Sequence, residues 1–284
     1  MSELARRILF AVIAAPLGVA IIYWGGAPLA TLLAVLTALA AWELCRIARA
    51  GGAEPFDAVA IVAAAAVPLI VHGTRLHVLA PTWTYAALAM LAVFAASIFL
   101  RGPERRPLLS ASTTVAGVAY VSLLAYAYAL RYDDYVVDAR GGTALVMLPI
   151  LLTWASDVGA YAFGRMFGKR KLIPSVSPGK TVAGAIGGLV LSVVIAVVYV
   201  RWVLHPLAQL ELTLPATVVF GLVVSAVAQI GDLFESLLKR EAGVKDSSTI
   251  IPGHGGVLDR FDSMLFVLPV AALMLHALLI PAPV

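Results

Sequence analysis

Between residues 229 and 263 the chain gathers six carboxylates and four lysines or arginines around a Pro-Gly-His-Gly-Gly turn. Asp232, Glu235, Ser236 and Lys239 are spaced i, i+3, i+4 and i+7, so a helix carries all four on one face. Asp259 and Asp262 repeat the i, i+3 relation after the turn. Carboxylates offer hard oxygen ligands, lysines and arginines neutralise phosphate oxygens, and glycines let backbone N–H groups approach closely. Together these are the requirements of a magnesium-bound triphosphate. The bland alternative is a solvated loop between two membrane helices. Against it, Asp232 and Glu235 follow the apolar run 214–230 with no intervening turn signal. That places them at or inside a membrane boundary, where ionisable groups are costly and usually functional.

A second polar stretch covers residues 153–188. Asp157 sits inside an apolar run, with Tyr161, Gly164 and Arg165 following at helical spacing. An intramembrane acid points to metal or substrate contact, the alternative being a structural pairing with Arg165 or a hydroxyl. The loop 165–181 then mixes Lys169, Arg170, Lys171 and Lys180 with serines, prolines and glycines, which suits phosphate oxygens. Its end imitates a P-loop, but the required first glycine is replaced by Pro174 and no strand precedes it. Lys169, Arg170 and Lys171 are equally suited to anchoring the loop on anionic lipid. Gly164 with Gly168, and Gly184 with Gly188, have the small-residue spacing of close helix packing.

The elements that must position these residues are membrane spans. Apolar residues make up 62% of the chain and charged ones 13%, about half the charged share of a soluble domain. Successive apolar runs at 8–24, 27–48, 58–71, 82–100, 108–130, 143–163, 182–204, 214–238 and 263–280 read as an all-α polytopic bundle of about nine transmembrane helices. The run at 8–24 lacks a cleavage site and reads as a retained span. Pro16, Pro68, Pro149 and Pro269 fall inside spans and are expected to kink them, not end them. Cys45, the single cysteine, is assigned to packing, and Glu43 to a local ion pair with Arg46 or Arg49. Residues 1–142 supply helices for packing and lipid access. Residues 143–284 form the catalytic region, with cytoplasmic loops at 165–181 and 239–262.

With the N-terminus in the cytoplasm, sixteen lysines and arginines lie on that side and four on the other. This asymmetry fixes the orientation, puts both polar loops beside the nucleotide pool and leaves the C-terminus outside.

Ser236, Leu238, Lys239, Arg240, Lys245, Asp246, Ser248, Ile251, Pro252, His254, Gly255, Gly256, Val257, Asp259, Arg260, Phe261 and Asp262 fill one long motif without a gap. In it the chain resembles the phosphatidate cytidylyltransferases, also called CDP-diacylglycerol synthases. The likeness covers 153–263 at motif level, and the first half of the chain matches only as a set of apolar spans. The resemblance implies transfer of the cytidylyl group of CTP to phosphatidate in the bilayer, with Mg2+ as cofactor, membrane lipids as surroundings and no nucleic acid. A homodimer is implied by the family alone. On this reading Asp246, Lys239, Arg260 and Asp157 are catalytic. Ser175, Ser177 and Lys180 fit the family's S-x-S-P-x-K-T pattern and join Ser236, Arg240, Lys245, His254, Gly255 and Gly256 in substrate contact. For His254, metal ligation, proton carriage and hydrogen bonding to phosphate all stay open.

Metal ligation falls to Asp232, Asp259 and Asp262. Asp232 ends the eighth span while Asp259 and Asp262 open the ninth, so antiparallel pairing of those helices gathers the three acids at the cytoplasmic face. The alternatives are a CTP-dependent lipid kinase, a secondary transporter and a catalytically silent scaffold. A transporter predicts inverted repeats and a midplane site, whereas here the polar residues crowd the second half and one face. The location is a membrane of the bacterial inner type with the site facing the cytoplasm. A reporter fused after Val284 is accordingly expected outside the cytoplasm and one inserted near Arg105 inside it; matching locations for the two contradict the nine-span topology.

Overall fold

The computed structural model describes residues 3–80, 82–132, 137–251 and 255–282. It is almost entirely helical, and the protein is an all-α polytopic membrane protein. Among the described residues, seven helical segments are long and apolar enough to cross a membrane by length and composition: Gly26–Ala50, Asp57–Arg75, Pro107–Arg131, Ala139–Phe167, Val182–Ala208, Leu214–Glu241 and Leu258–Leu278. Val12–Trp24 and Thr84–Leu100 are shorter apolar helices. Each of these segments overlaps one of the expected spans. All four prolines lie within helices, as expected of residues whose freed carbonyls can be satisfied by neighbours.

The chain forms two compact units, Met1–Tyr128 with Leu238–Phe261, and Ala129–Leu237 with Asp262–Val284. The division expected at residue 142 is one of role; by packing, the signature loop groups with the N-terminal helices.

In the first unit, α1 (Glu3–Trp24) and α2 (Gly26–Ala50) are joined by a turn at Gly25, whose φ of 64° is open to glycine. Helix α3 (Asp57–Arg75) packs on α2 through small residues, with Ala30, Ala34, Ala41, Ala60 and Ala64 all buried. Thr37 in α2 donates to the carbonyl of Ala64 in α3 at 2.9 Å. Such interhelical bonds are at home where lipid offers no competing partner. Helix α4 (Thr82–Leu100) precedes α5 (Pro107–Val121), which runs through a 3₁₀ turn, Ser122–Ala125, into α6 (Tyr126–Arg131). The Phe56 amide, at the entrance to α3, donates to Thr114 Oγ1 of α5 at 2.9 Å.

In the second unit, α7 (Ala139–Phe167) starts on a side-chain cap, Asp138 accepting from the Gly141 amide at 2.8 Å. A short antiparallel hairpin follows, β1 (Lys171–Ile173) and β2 (Ser177–Thr181). The sequence presents this segment only as a polar loop. Its pairing resides in backbone hydrogen bonds that Pro/Gly/Ser composition does not announce. Thr181 caps α8 (Val182–Tyr199) by accepting from the Gly184 amide at 3.1 Å. A π turn, Val200–Leu204, then carries the helical path past the expected end of the seventh span into α9 (His205–Ala208). The strands β3 (Leu210–Glu211) and β4 (Ile280–Pro281) pair antiparallel, bracketing α10 (Leu214–Glu241) and α11 (Leu258–Leu278).

Helices α7 and α8 touch backbone to backbone. A Cβ at Gly159 would lie 3.0 Å from the Gly187 carbonyl carbon, and one at Gly184 would lie 2.7 Å from the Ala160 oxygen. The small-residue spacing of 164, 168, 184 and 188 is therefore a packing device, as its pattern indicates. Polar links tie α10 to both helices: Ser156 of α7 bonds Ser225 of α10 hydroxyl to hydroxyl at 2.7 Å, and Gln229 of α10 donates to the Ala185 carbonyl of α8 at 3.2 Å. Gly184→Leu is expected to lower the thermal midpoint of the detergent-solubilised protein, by roughly 1–3 kcal/mol of overpacking. Gly18→Leu, at a position with nothing within 4 Å, is expected to leave it unchanged. Equal midpoints for the two variants refute the close-packed α7–α8 seam.

Candidate active site

The last turns of α10 and the first turn of α11, with the loop between them, form a hydrogen-bonded corner in the first unit. Lys239 Nζ lies 2.7 Å from Asp259 Oδ1, and both side chains are largely buried. The other oxygen of Asp259 accepts from the Ser247 amide at 3.0 Å, the Ser247 hydroxyl at 2.8 Å and the Gly256 amide at 2.8 Å. Asp259 is thus the hub that folds the loop onto the helix N-terminus. There the orphan N–H groups and the helix dipole both favour an anion.

A second carboxylate closes this corner from α2. Glu43 is fully buried, and the expected pairing with Arg46 or Arg49 does not form. Arg49 is bonded to Asp57 instead, and the Arg46 guanidinium lies over the Trp42 ring at 4.9 Å. Glu43 points inward. Its Oε1 accepts from the Ser248 hydroxyl at 2.5 Å and the Val257 amide at 2.9 Å; its Oε2 accepts from the Ser247 hydroxyl at 3.1 Å and the Leu258 amide at 2.6 Å. Three donors, and a share of the single Ser247 proton that Asp259 Oδ2 also takes, converge on one carboxylate, the compensation a buried charge requires. The local-pair expectation failed because i, i+3 spacing says which residues can meet on one helix, not which distant donors are in greater need. The available signal was a lone acid in an apolar run.

The two glycines of the signature follow from this arrangement. Gly255 has φ +83°, and a Cβ there would stand 2.7 Å from Asp259 Oδ2. A Cβ on Gly256 would collide with both the Ser247 hydroxyl and Glu43 Oε1. Ile251 and Gly255 form an isolated antiparallel bridge, the Ile251 amide donating to the Gly255 carbonyl at 2.9 Å. His254, between them, lies outside the described residues. Arg240, Lys245, Asp246 and Arg260 are exposed.

The second unit holds the other expected site residues. Lys180, at the end of the hairpin, reaches Asp232 Oδ2 on α10 at 2.7 Å, and Ser236 lies one turn further along with its hydroxyl 3.4 Å from Asp232 Oδ1. Gly231 brings α10 against the start of α11: a Cβ there would lie 2.9 Å from the Asp262 carbonyl oxygen and 3.0 Å from Ser263 Cα. Asp232 follows Gly231 on α10, and Asp262 Oδ1 accepts from the Ser263 amide at 2.5 Å. Ser175 is exposed in the hairpin turn, and Ser177 is half-buried at the start of β2. Asp157 is exposed on α7, as is Tyr161 a turn later, whose hydroxyl accepts from Arg165 Nη1 at 2.9 Å.

The three expected metal aspartates thus divide between the units, Asp232 and Asp262 in the second and Asp259 in the first. Within each unit, among the described residues, no group of three or more His, Cys, Asp or Glu is placed to hold a metal ion. Two carboxylates on facing helices are nevertheless oxygen donors of the kind Mg2+ takes, since it commonly binds one or two and fills its remaining positions with water and phosphate oxygens.

The fold is that of a helical membrane protein, and its acids and lysines are of the kinds that serve phosphate-bearing ligands. The chain belongs to the cytidylyltransferase family, whose model matches residues 5–278. It is similar to the phosphatidate cytidylyltransferase of Haemophilus influenzae, with 38% identity over 200 residues, 70% of this chain and 67% of the relative. Against that of Staphylococcus haemolyticus the identity is 40% over 173 residues, 61% of this chain and 62% of the relative. Against that of Staphylococcus aureus (strain COL) it is 39% over 178 residues, with 61% and 62% covered. The chain thus matches less than two thirds of the length of the staphylococcal relatives.

Gly256→Ala is expected to destabilise the corner by roughly 1–3 kcal/mol through forced overpacking. Gly179→Ala, with nothing within 4 Å, is the control. Thermal midpoints of the two variants check this, and a Gly256→Ala protein as stable as the control contradicts the contact with Glu43 and Ser247.

Proposed function

We propose that the protein transfers the cytidylyl group of CTP to phosphatidate, giving CDP-diacylglycerol and pyrophosphate, at the cytoplasmic face of a membrane of the bacterial inner type. The observation that carries this reading is the filled signature at 236–262, together with the family and the relatives named above. A phosphate oxygen of phosphatidate attacks the α-phosphorus of CTP. A new P–O bond forms there as the bond to the bridging oxygen breaks, and pyrophosphate leaves. No protein nucleophile is needed, so catalysis consists of positioning and of neutralising charge.

The chain's residues divide this work. Lys180, Lys239, Arg240 and Lys245 are the cations for the triphosphate, and Arg260 serves a phosphate or lipid headgroup. Ser175, Ser177 and Ser236 are hydroxyl contacts, Asp157 serves metal or substrate contact, and Asp246 either ligates the metal or orients the incoming phosphate. Gly255 and Gly256, assigned to substrate contact by the signature, shape the loop around Asp259 and Glu43. Asp232 and Asp262 would hold Mg2+, with Asp259 the third expected acid; the ion when bound supplies charge neutralisation and alignment of phosphate oxygens. The Lys180–Asp232 pair supports this assignment, because it sets a phosphate-suited cation against a metal-suited carboxylate. Neither a CTP-dependent lipid kinase nor a transporter draws support from the family or the relatives.

Purified protein supplied with phosphatidate and labelled CTP is expected to place the label in the lipid fraction and to release pyrophosphate. Release of CDP instead indicates a kinase, and no lipid product with any divalent cation refutes the enzyme reading. Asp232→Asn and Asp262→Asn are expected to lower activity by roughly 10- to 100-fold, with partial recovery in excess Mg2+. Full activity with unchanged magnesium dependence in both places the metal elsewhere. Lys180→Ala and Lys239→Ala are expected to weaken use of CTP, and unchanged kinetics in both removes them from the site.

A further inference from the structure

We infer that Glu43 is a positioning residue for this reaction, holding Lys239 in place through Ser247 and Asp259; the inference rests on the cytidylyl-transfer reading. Glu43 belongs to α2, far in sequence from every motif that suggests the chemistry, and nothing in its local spacing marks it as part of the site. Its surroundings do. A fully buried carboxylate on an apolar helix is costly, and here its acceptor capacity is spent on two hydroxyls and two backbone amides of the signature segment.

The contacts form a connected path. The Ser247 hydroxyl lies 3.1 Å from Glu43 Oε2 and 2.8 Å from Asp259 Oδ2, and Asp259 Oδ1 lies 2.7 Å from Lys239 Nζ. Glu43 also accepts from the first amides of α11, at Val257 and Leu258, and so fixes the turn on which Asp259 sits. The single Ser247 proton is shared between the two carboxylates, so what Glu43 alone holds is the Ser248 hydroxyl and the Val257 and Leu258 amides; without it the loop and the first turn of α11 lose their common anchor, and with it the fixed placement of Asp259 and of the Lys239 ammonium. An amide cannot replace this carboxylate. Each oxygen takes one hydroxyl and one backbone N–H, so whichever oxygen becomes the NH2 of glutamine sets a donor against a backbone donor.

The test is a kinetic cycle on the full-length protein in lipid nanodiscs, with CTP and phosphatidate as substrates and rates normalised to monodisperse protein. Glu43→Gln and Ser247→Ala are each expected to lower kcat about 10- to 100-fold. Any rise in the KM for CTP should be no larger than that of Lys239→Ala, because the path acts through that lysine. The double variant should fall little below the worse single one, since both break the same path. A merely structural role predicts instead full kcat in whatever protein remains folded. Should Glu43→Gln not give monodisperse protein, Ser247→Ala decides alone, because it leaves Glu43 with Ser248 and both backbone amides. A lowered kcat supports the path and an unchanged kcat overturns it. Losses that multiply independently in the double variant overturn it as well. Wild-type protein that makes no CDP-diacylglycerol overturns the functional reading and this inference together, whereas active wild type with unchanged variants overturns the inference alone.

Discussion

A carboxylate buried in an apolar helix must be compensated, and the manner in which Glu43 is compensated organises the polar end of the first unit. Because its four partners come from Ser247, Ser248, Val257 and Leu258, α2 and the start of α11 are tied to each other by one side chain. The loop between α10 and α11 has little apolar material of its own from which to build a core. Its described residues Ser247, Ser248, Gly256 and Val257 bond to two acids, Glu43 of α2 and Asp259 in the first turn of α11. Gly256 then has no freedom to be anything larger, since the space that a Cβ would take belongs to Glu43 and Ser247.

The second unit solves a different problem with a different device. Lipid supplies no hydrophobic force to press helices together, so α7 and α8 approach through glycines until backbone meets backbone, and a serine and a glutamine of α10 bond to the pair. This seam is rigid and carries the β1–β2 hairpin at its polar end. Lys180 is therefore delivered to Asp232 by a scaffold, not by a free loop. Gly231 does the same for the pairing of α10 with α11, where it meets the backbone of Asp262 and Ser263.

Much of this was legible in the chain. Apolar runs of span length located the helices because a membrane requires them, and prolines did not mislead because helices in lipid tolerate them. The signature was legible because its acids, cations and glycines are dense in a sequence otherwise poor in them. Glu43 was not, because its partners lie 204 to 215 residues away and no periodicity within α2 records them. The hairpin was hidden by a short polar segment whose pairing is backbone alone. The path past Leu204 was hidden by a π turn, which keeps a helix going where composition suggests an end. The side-chain spacing of Asp232 and Asp259 was read correctly as helical, yet spacing could not reveal that Asp259 spends its oxygens on the loop and on Lys239.

The central claim is that Glu43 holds the signature loop against the start of α11. Amide hydrogen exchange of the wild-type protein in nanodiscs, followed by mass spectrometry over peptides covering 244–260, tests it most directly. The account predicts that the Val257 and Leu258 amides, bonded to a buried carboxylate, exchange slowly, on the timescale of the helix interior and not of an exposed loop. Exchange of both amides as fast as that of the exposed residues 245–246 would contradict it.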